Sequence, residues 1–289
     1  MKLIGVPYLS PSAMSKLVTC QRQWWWHYEQ GIRDEGGTEP LAMGSGLAHA
    51  LEYRSLEDGL LEYARARRPD DIFDDQHQRR LEEWVARETI TQAFNGYIER
   101  YDARDFAGLL VREETFIVDM PYAARKLQVR IDGVADGYGV EDKLRAGSSL
   151  RPDAVQNEVL QGRQITAECY CMWRDTGELR PVYLRTTKKC DPRKWKQCQS
   201  HEEVAEVIGD HFAGDVFAEY ECTRTLDQLR EFEAEFAQLS ALAEALAQSG
   251  DPVGVRNEKA CHEFGRVCPA LAACQGQAAA EELTAKEAA

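Results

Sequence analysis

The chain has 289 residues, 44% of them hydrophobic and 29% charged, which excludes a disulfide miniprotein, a collagen-like or low-complexity chain and a fully disordered one. Its longest uncharged stretches fall far short of the roughly 18 to 20 apolar residues of a membrane span, and MKLIGVPYLSPS lacks the apolar run and cleavage-like site of a secretion signal, so a cytoplasmic protein is expected. The net charge of -14 is uneven, with residues 1–110 at -5, 111–200 at +3 and 201–289 at -12; contacts respond to charges within a Debye length of about 8 to 10 Å, so a basic middle leaves a polyanionic partner open.

Ser10 or Ser12 caps a first helix that runs through the Trp24, Trp25, Trp26 and Tyr28 cluster to Gly31. A loop over 31–40 precedes a second helix from about Leu47 to Arg67 and a third from about Asp75 to Arg104. The period then falls to two: LLVREETFIVDM (109–120), RKLQVRID (125–132) and VEDKL (140–144) read as strands, with Asp136-Gly137 as a two-residue hairpin turn. A helix over 153–175 puts Ile165, Cys169, Met172 and Trp173 on one face, a strand covers 181–187, and two acidic helices cover 201–213 and 225–247. The expected class is mixed α/β (α+β): a helical part over 1–108, a strand-rich core over 109–190, a helical and cysteine-bearing part over 191–275, and a flexible tail over 276–289.

In RKLQVRID the apolar Leu127, Val129 and Ile131 alternate with polar residues, so Asp132 belongs to the polar face. Period two likewise puts Glu141 and Lys143 on one face of VEDKL. A turn at Asp136-Gly137 makes paired positions sum to 273 and sets Asp132 directly across from Glu141. Like charges so opposed repel; a divalent cation removes that penalty, and Lys143 can orient or activate a water. A solvated polar sheet face is the alternative reading of the same residues. The nine cysteines, an odd number, point to reduced thiols. Cys261, Cys268 and Cys274, spaced C-x6-C-x5-C, are too close together to be explained by packing alone.

Taken in order, these elements and motifs resemble the PD-(D/E)XK nuclease superfamily, in particular its RecB-like branch with an iron-sulfur staple, seen in AddB-type helicase-nucleases and in CRISPR-associated and phage exonucleases. The αβββαβ order matches the restriction-endonuclease-like core, ID followed by ExK matches Asp132, Glu141 and Lys143, LAHALE matches an upstream histidine motif at His49, and RQITAECY matches a Q-x3-Y motif at Gln164. One cysteine near the N-terminus, Cys20, and three near the C-terminus complete the layout over about residues 10–275. The chain departs from the pattern at Ser45, at Leu144, and at Glu168, which stands where the tyrosine belongs, with Tyr170 two residues on; Asp142 beside Glu141 leaves open which carboxylate binds.

The resemblance implies a single nuclease domain over 1–275, a metal-dependent DNA exonuclease, bacterial or phage-encoded, acting on single strands or duplex ends. A non-catalytic DNA-end or partner-binding module and a CRISPR spacer-processing nuclease are the alternatives. Mg2+ or Mn2+ would be held by His49, Asp132 and Glu141, with Lys143 and Gln164 completing the catalytic set. Cys20, Cys261, Cys268 and Cys274 would hold a 4Fe-4S cluster joining the N- and C-terminal segments, with zinc as the competing occupant. The tryptophan cluster would pack around it, with base stacking as the alternative; the other cysteines read as ordinary thiols. Phosphate contacts are expected from Arg145, Arg163, Lys188 and Lys189, and from the neighbouring Arg151, Arg185, Arg193, Lys194 and Lys196.

Overall fold

The computed structural model describes residues 7–32, 39–67, 76–107, 110–145, 152–250, 254–257, 259–261 and 267–275. Arg151, the 276–289 tail and most of the 31–40 loop, each read above from sequence, lie outside the described residues.

After the short strand β1 (Tyr8–Leu9), Ser10 caps α1 (Pro11–Thr19) by accepting from the Ala13 N–H. The expected long first helix is interrupted: Cys20 is extended, with φ -157° and ψ 105°, before α2 (Gln21–Trp24) and a π-helical turn over Trp25–Glu29. The second helix is likewise two, α3 (Glu39–Tyr53) and α4 (Leu56–Ala66), because Arg54 takes a positive φ of 51° and Ser55 then caps α4. The two pack closely through glycines; a Cβ on Gly59 would lie 2.6 Å from the Gly46 carbonyl oxygen. The long α5 (Gln76–Ala107) follows.

The meander is present as β2 (Val111–Val118), β3 (Lys126–Ala135) and β4 (Tyr138–Arg145), with Gly137 at φ 93° in the turn. The helix expected over 153–175 breaks at Gly162 into α6 (Pro152–Gln161) and α7 (Arg163–Thr176), which lead into β5 (Val182–Lys188). After α8 (Pro192–Trp195) and α9 (His201–Phe212) comes β6 (Phe217–Cys222), which the sequence reading missed because only its two end residues are buried and no alternation shows. A capping box at Thr225 and Gln228 opens α10 (Leu226–Ser249), and α11 (Leu271–Cys274) ends the described chain.

The sheet runs β1-β3-β4-β5-β6, with β2 on the other edge of β3; β4 and β5 are parallel, β3–β4 and β5–β6 antiparallel. One face is covered by α1, α7, α10 and the tryptophans, which enclose Leu127, Val129, Ile131, Ile165, Met172 and Leu184. On the opposite side α3, α5 and α9 form a second core around Leu47, Leu81, Tyr97, Ile208 and Phe217. No described helix is long and apolar enough to cross a membrane.

Candidate active site

Along 127–134 one edge of β3 belongs to β2. Its other edge is shared: β1 pairs with Lys126 and Leu127, and β4 with Gly133, Val134 and Ala135. The intervening residues, Gln128 to Asp132, have no ladder partner there among the described strands. The β3–β4 register is the expected one, with Ala135 opposite Tyr138 and Gly133 opposite Val140, but the ladder ends one residue short of Asp132 and Glu141. The strands part at this point, β4 continuing along β5 to Arg145 and Lys188. Asp132 bridges the fork by accepting the Asp142 backbone N–H at 2.8 Å.

Glu141 is 2% exposed and ion-pairs through Oε1 with Lys143 Nζ. From α7, Gln164 Nε2 donates to Glu168 Oε1 at 2.6 Å, and the fully buried Glu168 carboxyl meets that of Glu141. Burial, then Asp132, pushes Glu141 up to about 7, and burial, then Glu141, raises Glu168 well above the usual carboxylate range. Burial works against the Lys143 charge, but Glu141, Asp132 and Glu168 outweigh it and hold its pKa above the ordinary value. Asp142 points elsewhere, to Arg112 at 2.6 Å; burial pushes it up to about 7, Arg112 opposing.

Asp132, Glu141, Lys143 and Gln164 are thus brought to one region. His49 pairs with Glu52 at 3.6 Å and lies against Tyr53 on its own helix. The cavity between α3 and the sheet that holds Asp132 and Asp142 is lined instead by Gly44, Leu47, Ala48 and Leu51. Among the described residues no three His, Cys, Asp or Glu side chains converge as a complete metal-binding group. The donor chemistry nevertheless fits a cation at the fork. Glu141 Oε2 and Glu168 Oε2 are shut off from solvent and no donor reaches either, and a buried carboxylate oxygen without a partner is costly.

Sequence reasoning missed three features. Glu168 carried a signal, since it stands at the motif's tyrosine. Glu113, at φ 56°, marks where β2 changes face: Phe116 and Val118 pack in the α7-side core, whereas Arg112 turns toward α5. The third is a buried polar network in which Arg185, 2% exposed, bonds Asp105 at 2.7 Å and Glu219 at 2.9 Å and also contacts Tyr97. The expectation that Arg185 contacts phosphate is therefore corrected, because its guanidinium is enclosed by these partners.

The four predicted phosphate contacts divide. Arg145, Lys188 and Lys189 meet where β4 and β5 end, the Lys189 N–H donating to the Arg145 carbonyl at 2.7 Å, and Arg145 also pairs with Glu158 at 2.5 Å. Arg163 lies apart, bonded to Ser15 at 3.1 Å and Glu235 at 2.6 Å. The three tryptophans are buried, which removes base stacking; Trp26 lines a small cavity that also touches Cys20, Cys261, Cys268 and Cys274. Gln23 Nε2 donates to Cys268 Sγ at 3.6 Å, and the Cys268 N–H to the Cys261 carbonyl at 2.8 Å. Tyr170 is fully buried and donates to Glu233 at 2.6 Å, a packing role.

The family model described as the PD-(D/E)XK nuclease superfamily matches residues 8–275. A crystal structure from Eubacterium rectale named "Putative exonuclease" aligns with a TM-score of 0.54 at 13% identity, over 90% of this chain and 89% of that one. No curated protein matches.

Proposed function

The chain belongs to the PD-(D/E)XK nuclease superfamily, and we propose that it is a Mg2+- or Mn2+-dependent DNA exonuclease acting on single strands or on DNA ends. The observation that carries this reading is the fork itself: Asp132, Glu141 and Lys143 meet where β3 and β4 part, and Glu141 keeps one buried oxygen that no donor reaches. A divalent cation bound there would neutralise charge on the scissile phosphate and lower the pKa of the attacking water. Asp132 and Glu141 supply hard oxygen ligands for it. Lys143, kept cationic by the surrounding carboxylates, orients the water and faces the anionic phosphate. Gln164 fixes the Glu168 carboxyl. His49 remains a proposed nitrogen ligand, and for it the support is the LAHALE motif alone.

Exonuclease rather than endonuclease action rests on the name borne by the structural neighbour. End-labelled single- and double-stranded DNA with Mg2+ or Mn2+ tests it: nucleotides released progressively from ends are expected, whereas internal cuts in circular DNA or metal-independent release would refute it.

The same reading assigns Cys20, Cys261, Cys268 and Cys274 to a 4Fe-4S cluster, supported by their shared cavity. Elemental analysis of protein purified without oxygen should find iron and acid-labile sulfide; stoichiometric zinc alone would give the site to zinc.

A further inference from the structure

We infer that Glu168 is itself a ligand of the catalytic cation, a third carboxylate where the family motif has a tyrosine; this rests on the metal-dependent reading above. Glu168 is fully buried and enters from α7, a different element from the strands bearing Asp132 and Glu141. Its Oε1 is held by Gln164 Nε2, so the orientation of the carboxyl is fixed by a neighbour one turn back. Its Oε2 has no donor, and neither does Oε2 of Glu141, the carboxyl it meets. Lys143 satisfies only the Oε1 side of Glu141. Two enclosed carboxyl groups facing each other can be reconciled by a shared proton or by a cation between them. Asp132 adds a third negative charge that acts on both, although the three do not converge as a ready-made ligand set; against Lys143 alone, one shared proton leaves more charge uncompensated than a divalent cation does, which favours the cation.

A tyrosine at this position would offer one neutral oxygen, whereas a glutamate offers a charged hard one. The chain therefore exchanges a neutral hydrogen-bonding group for a stronger hold on a hard divalent ion. Gln164 then acts as a positioning residue through Glu168.

The test is Mn2+ binding by full-length protein, followed by calorimetry and by the electron paramagnetic resonance signal of free Mn2+. Wild type, Glu168→Gln and Glu168→Asp are compared. Glu168→Gln is expected to bind Mn2+ about 10- to 100-fold more weakly, the loss typical when support of a metal ligand is removed, or more. Its unfolding temperature in chelator should equal or exceed that of wild type, because a like-charge contact is gone. Glu168→Asp keeps the charge but withdraws it by one methylene, so it too should bind more weakly. Wild-type affinity in Glu168→Asp alongside weakened Glu168→Gln would make Glu168 a mere nearby charge and overturn the inference. Unchanged affinity in Glu168→Gln would overturn it as well, leaving the shared proton. A wild type that takes up no Mn2+ would instead refute the metal-dependent reading on which the inference stands.

Discussion

At the residue scale, the proposed function puts Glu141 and Lys143 on the chemical step, whereas the ion pair with Arg112 ties Asp142 to the fold. Glu141→Ala and Lys143→Ala are expected to abolish cleavage in a nucleotide-release assay while DNA binding, read by gel shift, persists. Asp142→Ala is expected to lower stability instead, by about 1 to 3 kcal/mol in urea titration, because it leaves the largely buried Arg112 with only the longer contact to Asp105; loss of cleavage in a fully stable Asp142→Ala protein would make Asp142 the ligand. The carboxyl shifts also set a pH dependence. Burial raises Glu141 and Asp142 to about 7 and Glu168 in the same direction. Above the ordinary values, 3.8 for Asp142 and 4.5 for the glutamates, the folded chain therefore holds more protons than the unfolded one, and stability falls as pH rises through the folded values. Unfolding temperatures in chelator should drop between pH 5.5 and 8, and Mn2+ should offset much of that drop.

At the element scale, α5 is joined to β5 and β6 by charge as well as by apolar packing. Asp105, which burial pushes up to about 6, and Glu219 are bridged by Arg185, with Arg112 on the first and Arg104 on the second as further partners. Arg185→Ala removes the cation between two partly enclosed carboxylates, leaving each with one remaining arginine, and is expected to cost about 1 to 3 kcal/mol, measured by urea unfolding. Arg185→Met with Asp105→Asn and Glu219→Gln should recover part of it, since replacing the whole buried set is cheaper than breaking it. Close helix packing makes a second prediction. At Gly59 an added Cβ would meet the Ala50 Cβ at 2.4 Å and the Gly46 carbonyl at 2.6 Å. Backbone cannot move aside as a flexible side chain does, so Gly59→Ala is expected to destabilise the α3/α4 pair by about 1 to 3 kcal/mol, seen as faster amide exchange in both helices.

At the scale of the whole molecule, an acidic chain of a nuclease family must concentrate its phosphate contacts. Arg145 is paired with Glu158 and Arg163 with Glu235, and Lys188 and Lys189 at the end of β5 remain proposed phosphate contacts. Each neutralised phosphate contributes a slope of about -0.7 in log affinity against log salt on single strands, so about four contacts give roughly -3. Charge reversal at Lys188 and Lys189 should flatten that slope, whereas reversals along α10 should leave it unchanged; fluorescence anisotropy against salt decides. The cysteine cavity joins the α1/α2 break to the C-terminal segment, where the Asn257 side chain donates to the Thr19 carbonyl and the Val255 N–H to Gln21 Oε1. Cys268→Ser is expected to loosen both ends together, read by limited proteolysis, with the proposed catalytic residues untouched.

The sequence by itself determined what depends on local period and turn chemistry: the meander, its register through Asp136-Gly137, the apolar face of α7 and the nuclease motif order. Those features were legible because alternation and a glycine turn act within a few residues. It also gave the approximate location of Asp132, Glu141, Lys143 and Gln164 relative to one another. Only the tertiary structure decided the rest. The divergence of β3 from β4 depends on β1 taking the far end of the same strand edge, a contact more than 100 residues apart in sequence that no local pattern encodes. The helix breaks at Cys20, Arg54 and Gly162 follow from what each segment must reach, since neither Cys20 nor Arg54 is a breaker by type. The meeting of Glu168 with Glu141, and the enclosure of Arg185, are decided by which faces α7 and α5 turn toward the sheet, because burial and charge pairing belong to the packed whole and not to the residue.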